Sequence, residues 1–367
     1  MEVFKKSNDT DSNVQTVIIP FELGYNPMKK LALINFEKYP DDVYKALEPQ
    51  YFNDDTYGNG YRIIAYRCDG YVDVYDDINL NYIEDENFSV VGKGLYERKR
   101  VAFENPTFQI RDGCLHISFK FIDKKGRNIV VKISEQTRKK TKKLNLLAPV
   151  GYSTENPSYL PLFFLYDFDF VRKHKTDVEL IINDKKIKLD NFPVPIAKDF
   201  QRRYYARYAT DCQIIEFANA TSCILDEHKV NSSGLVVYKS IEYQYTNGSL
   251  QKMTLKHSSR PLFVKFNNGF PDIRSLSDGS EYIDTFKIIA DDTIGFISGR
   301  YFVRRKGSFI KIELSPLDGW TPVTSSLLTK MMFGKKSIFC SWPKTYRYIQ
   351  DININTLESV SYWERIK

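Results

Sequence analysis

Trp320, Trp342, Tyr346 and Tyr348 crowd the C-terminal end of the chain, with Arg300 and Glu313 on neighbouring predicted strands. Only three tryptophans occur in 367 residues and two of them lie within 23 positions, so the clustering points to a shared task. Large rings around a few convergent polar groups are what the mouth of a ligand pocket looks like. Arg300 keeps the two-residue period of Phe296 and Phe302, which turns its guanidinium toward an apolar side. There it needs a carboxylate such as Glu313, or an anionic ligand group. Arg300, Glu313, Trp320, Trp342 and Tyr346 are therefore the first candidate ligand site, with Trp342-Pro343 equally readable as an apolar plug.

A second candidate is the run Tyr71, Asp73, Tyr75, Asp77, which puts two phenols and two carboxylates on one strand face, with Val72 and Val74 behind. Such a face suits a sugar or a cation, or is simply an acidic outer face over a valine core. Phe164, Tyr166, Phe168 and Phe170 share one side of another strand and read as core, or as the lining of an apolar ligand cup. His116, flanked by aromatic residues, is the histidine of most interest, although its phase turns it toward solvent.

Several chemistries lose their footing. The four histidines, His116, His174, His228 and His257, share no ligand spacing, and there is no H-E-x-x-H, so no metal site is expected. No P-loop, G-x-G-x-x-G or G-x-S-x-G is present, which removes the common nucleotide-dependent and serine-hydrolase types and leaves no expected cofactor. The five cysteines are scattered and never form C-x-x-C, so neither a zinc ribbon nor a disulfide framework is implied. The net charge is +7, but Arg138, Lys139, Lys140, Lys142 and Lys143 supply five of those charges, and without them +2 remains. That run reads as a mobile, solvated loop. Arg202-Arg203-Tyr204-Tyr205-Ala206-Arg207-Tyr208 interleaves cations with rings as single-strand binders do, yet the modest overall charge makes nucleic acid an unfavoured partner.

Positioning such residues falls to strands. With 25 Tyr, 25 Phe and only 11 Ala, the composition favours strands over helices. Leu115, Ile117, Phe119 and Phe121 alternate with His116, Ser118 and Lys120, and a turn at 123–127 leads to Ile129, Val131 and Ile133. A second hairpin is expected over 178–189 around Asn183-Asp184, and others over 61–80, 236–255 and 296–314. Short helices are predicted at 41–47, 198–208 and 325–332. No secretory signal and no apolar run of membrane-spanning length is seen, which predicts a reduced, cytoplasmic protein.

Internal comparison organises these elements. Tyr61, Tyr66 and Gly70 have counterparts in Tyr238, Tyr243 and Gly248, Thr107-Phe108-x-Ile110 in Thr285-Phe286-x-Ile288, and Lys125-Gly126-x-x-Ile129 in Lys306-Gly307-x-x-Ile310. The order is kept while the offset drifts only from 177 to 181, as small loop insertions between equivalent strands would produce. Asn191-Phe192-Pro193-Val194-Pro195 lies at the projected boundary. The expectation is an all-β protein of two similar antiparallel barrels, 1–190 and 196–367, joined by a Pro-rich linker at 191–195, with few short helices.

On these duplicated hairpins, and on Asp318-Gly319-Trp320 leaving the second, the chain resembles the tandem lipocalin-like hydroxyneurosporene synthase and AttH-like family. The resemblance is architectural, covers most of the chain and carries over no catalytic motif. It implies an apolar to amphipathic barrel pocket for a small molecule, and cofactor-independent hydratase, isomerase or cyclase chemistry on a lipid-like or isoprenoid substrate. The alternatives are a non-catalytic carrier of such a ligand and a carbohydrate-binding or carbohydrate-processing β-sandwich. A buried titratable group inside the pocket would separate enzyme from carrier.

Overall fold

The computed structural model describes residues 15–38, 41–81, 88–137, 141–150, 154, 156–256, 260–324, 327–334 and 336–366. Alternation translates directly into strands. Leu115, Ile117, Phe119 and Phe121 are buried on Cys114–Ile122, and the strand pairs antiparallel with Asn128–Glu135. Between them the Asp123 carboxylate accepts the backbone N–H groups of Lys125 and Arg127, each at 2.8 Å, and Gly126 supplies the positive φ that closes the turn. Asn183 and Asp184 both take left-handed backbone, at φ 49° and 64°, and fold Thr176–Ile182 onto Lys185–Lys186 as a two-residue turn.

Among the described residues three larger sheets and one strand pair result. The first large sheet runs Leu23–Asn26, Asp211–Phe217, Leu160–Arg172, Arg203–Ala209, Met28–Asn35, Tyr44–Asp54, Gly58–Arg67, Val72–Asp77 and Leu95–Val101, with Leu144–Ala148 added on Leu160–Arg172. A five-stranded sheet, 107–135 and 176–186, packs on one of its faces. Their core holds Ile34, Leu47, Ile63, Ala65 and Ala206 against Phe108, Ile117, Phe119, Val131 and Leu180. The second large sheet is a meander from Leu235–Tyr238 to Glu358–Arg365, with Ser222–Ile224 at its far edge. It encloses a separate core with Phe217, Leu162 and the N-terminal residues Val17 to Leu23.

Three strand lines carry the first large sheet across both cores. Arg203–Ala209 and Asp211–Phe217 form one line, and Leu160–Arg172 pairs with both. Met28–Asn35 and Leu23–Asn26 form a second line, pairing with the two halves in turn.

None of these sheets closes into a barrel, which corrects the two-barrel expectation. For the first large sheet the physical reason is burial on both faces. Val72–Asp77 is buried at every position, whereas a small barrel alternates a filled interior with a solvated exterior. Sheets wrapped on both sides stack as layers instead.

Thr107-Phe108 opens an edge strand of the five-stranded sheet, whereas Thr285-Phe286 lies on Glu281–Ile289, which is paired on both sides. Both phenylalanines are buried. Val194, at the centre of the Pro-punctuated segment, is exposed, and the strands that follow it, Arg203–Ala209 and Asp211–Phe217, join the first large sheet.

Two predicted helices are strands. The Asp41 carboxylate accepts the N–H groups of Val43 and Tyr44, at 3.1 and 2.9 Å, and launches Tyr44–Asp54 directly as a strand. A single 3-10 turn at Lys198–Phe200 precedes the tyrosine-rich strand Arg203–Ala209, where ring packing outweighs helical periodicity. The third expectation holds in part as the helix Leu327–Phe333. Among the described residues no helix is long and apolar enough to cross a membrane.

Candidate functional site

The face of the first large sheet turned away from the five-stranded sheet floors a cavity of about 600 Å³. Register builds its floor row by row. Phe170, Arg207, Leu33, Glu48 and Ile64 lie across adjacent strands, and Phe168, Ala209, Leu31 and Gln50 form the next row. Tyr205 and Tyr66 occupy the row on the other side. Leu146, Ala148 and Val150 cover one flank, Val90 to Lys93 another, and Ile338 and Phe339 reach over from the C-terminal part of the chain.

Within this largely apolar wall one carboxyl is buried. Glu48 is 7% exposed; its Oε2 accepts the Tyr66 hydroxyl at 2.7 Å and its Oε1 the Gln50 amide at 2.8 Å. Burial pushes the Glu48 carboxyl up, against the opposing pull of those two hydrogen bonds and of the Arg207 charge. Burial likewise raises Tyr66 well above an ordinary phenol, with Glu48 adding to the rise. The pair is thus disposed to hold protons, and a hydrogen bond already links the carboxyl to the phenol. The Arg207 guanidinium donates to Asn35 Oδ1 at 3.0 Å and lies 5.0 Å from the Tyr205 ring centre.

The raised Glu48 carboxyl makes stability depend on pH in a defined direction. Its contribution is complete below the ordinary glutamate value of 4.5 and is lost as pH rises through the raised folded value. Within that window the loss is about 1.4 kcal/mol per pH unit. Glu48→Gln should therefore gain on the wild type as pH rises from 4.5 to 8 in urea unfolding. Parallel stability curves for the two proteins would contradict the assignment.

Sequence reasoning missed Glu48. Read as a helix, 41–47 hides the strand phase that sets Ala46, Glu48 and Gln50 on one face. A glutamate alternating with Ala46 and Gln50 was the available signal.

The predicted site residues fall elsewhere. Arg300 is exposed on the outer face of the second large sheet, opposite Thr285 and Ser315, so its phase shared with Phe296 and Phe302 marks the solvated side. Glu313 is on that same face, 3.0 Å from Lys311 rather than from Arg300. Trp320 and Trp342 are both buried, packed edge-on against Phe333 and Tyr346 respectively. Their indole N–H groups find no hydrogen-bond partner among the described residues. Tyr346 packs further on Trp363, and its hydroxyl reaches the Val150 carbonyl at 3.5 Å, on the cavity's flank. None of these five lines the cavity.

Asp73 and Tyr75 are buried in a polar network at one end of the first sandwich, not on an acidic outer face. Tyr44 Oη donates to Asp73 Oδ2 at 2.9 Å and lies 2.6 Å from Tyr75 Oη, while Lys124 Nζ reaches Asp73 Oδ1 at 2.8 Å. His116 is half-buried, its Nδ1 3.0 Å from Ser134 Oγ, away from the cavity. Phe168 and Phe170 do line the cavity, whereas Phe164 lies in the second core. Arg138 to Lys140 and His257 lie outside the described residues. Lys143, the end of the predicted loop, instead turns inward and donates to Tyr208 Oη at 2.6 Å. Among the described residues no group of three or more His, Cys, Asp or Glu is placed to hold a metal ion. All three tryptophans are buried, which leaves no open indole-floored groove for a sugar among the described residues.

Comparison with family models, with curated proteins and with solved structures returned no match.

Proposed function

We propose that this protein acts on a largely apolar, lipid-like or isoprenoid small molecule held in the cavity, with Glu48 and Tyr66 moving a proton to and from it. The observation that carries the reading is a buried carboxyl of raised proton affinity set in an otherwise apolar wall, hydrogen-bonded to a phenol. A general acid works best when its proton affinity is tuned upward in this way. A double-bond shift would need no co-reactant. The Glu48 carboxyl gives its proton to one carbon, the double bond moves, and the resulting carboxylate takes a proton from another carbon, leaving composition unchanged. Tyr66, whose phenol holds its proton firmly, positions the carboxyl and can pass the proton on.

A carrier without turnover is the second reading, favoured by the hydrogen bonds that already engage both Glu48 oxygens. Incubation in deuterium oxide with farnesol, retinol and linoleate separates the two. Wild-type protein should place deuterium on carbon in at least one of them, and Glu48→Gln should bind that compound yet incorporate at least about a hundredfold less, in keeping with general acid–base contributions. Binding without exchange by the wild type would establish the carrier. No binding at all would remove the cavity's role.

A further inference from the structure

The charges around the cavity are one-sided. Among the described residues three cations line it, Lys45, Lys93 and Arg207, and the only lining carboxyl is Glu48, which burial biases toward its neutral form. None of the three cations has a carboxylate within ion-pair distance among the described residues.

The fold places them together at one end. A register shift between Tyr44 and Ala46 frees Lys45 to project on the cavity side beside Ala46. Lys93 donates its backbone N–H to the Gly70 carbonyl at 2.9 Å, and its stem lies so close over Gly70 that an added Cβ would meet Lys93 Cε at 3.0 Å. Arg207 sits in the Glu48 row, half-buried, with one N–H given to Asn35. At the other end of the strands the lining is Leu31, Leu146, Leu165, Phe168, Ala209 and Phe339. A half-buried guanidinium with donors to spare, in a cavity that two unpaired lysines also line, calls for an anion. The apolar end calls for a hydrocarbon chain.

We infer that the cavity's ligand is an anionic amphiphile, its acidic head group held by Arg207 with Lys45 and Lys93 and its chain lying on the apolar end. This deepens the reading of the cavity as a small-molecule site and rests on it. It adds a head-group class and names the residues that select it, and it places the head group next to Glu48, where a negative charge would further favour the protonated carboxyl.

Equilibrium dialysis with dodecanoate, dodecyl phosphate and dodecan-1-ol tests it. One or both anions should bind wild-type protein at least about tenfold more tightly than the alcohol, and the preference should shrink as salt rises. Arg207→Gln should erase most of the preference by weakening anion binding far more than dodecan-1-ol binding, with Arg207→Lys restoring part of it. Lys45→Gln, on an exposed side chain, should reduce the preference without affecting folding. Alcohol binding equal to or tighter than both anions would overturn the head-group inference while leaving the cavity reading intact. Failure of all three to bind would overturn both.

Discussion

Asp73→Ala should lower stability by about 3–5 kcal/mol, the cost of leaving buried charges without their counter-ion. Asp73 is 1% exposed and is met from three sides, by Tyr44 Oη, by Lys124 Nζ and by Arg67 Nη1 at 3.3 Å. Burial pushes Tyr75 up to about 12 against the hydrogen bonds from Tyr44 and the Lys124 amide, and burial raises Tyr44 further, with Tyr75 and Asp73 adding to that rise. Among the described residues Lys124 would keep only the more exposed Glu97 as counter-ion, at 3.2 Å, and Arg67 only Asp69. Urea unfolding of Asp73→Ala, Lys124→Ala and the double variant forms a cycle in which the double variant should lose clearly less than the sum of the two. A loss under about 1 kcal/mol for Asp73→Ala would class the network with exposed ion pairs.

Trp342→Ala should cost about as much, 3–5 kcal/mol as for large aromatic deletions in a core. The ring is 3% exposed, packs on Tyr346 at a centroid distance of 5.8 Å, and through Tyr346 joins Trp363. Trp342→Phe should recover more than half of that loss, because the indole N–H it removes has no partner among the described residues and its burial is a cost. Thermal and urea unfolding measure both. Dodecanoate binding should stay within about twofold in Trp342→Phe. A variant that folds as the wild type does but no longer binds would return the tryptophans to the ligand site that their clustering suggests.

What the sequence made legible was local. Alternation at 115–121 and turn chemistry at 123–127 and 183–184 are decided by neighbours a few residues apart, and the structure repeats them. Which face of a strand is buried depends on what lands upon it. Phe296 and Phe302 drew Arg300 inward on paper, yet in the folded chain both rings are only half-buried on the outer face. Asp73 and Tyr75 read as a surface because their alternation with Val72 and Val74 resembles a half-buried strand, but a second layer covers that side too. The cavity was hidden for the same reason. Its lining comes from segments as distant as Leu31, Gly92, Leu146, Arg207 and Phe339, and no local pattern joins them.

The N-terminal stretch bears on how the chain acquires its structure. Phe21 packs among Phe217, Phe266, Phe270 and Tyr348, the Pro20 carbonyl accepts a hydrogen bond from Gln350, 330 positions away, and Tyr245 reaches Ile18 across 227. Residues 18–21 thus find their places only after partners 227 to 330 positions later in the chain have been made. Loop closure over such separations is slow, and until it occurs the apolar residues between Val17 and Leu23 have no shelter. During synthesis this stretch is therefore exposed to proteases and to other chains until the strand that carries Tyr348 and Gln350 has been made, an interval set by translation rather than by any local folding step.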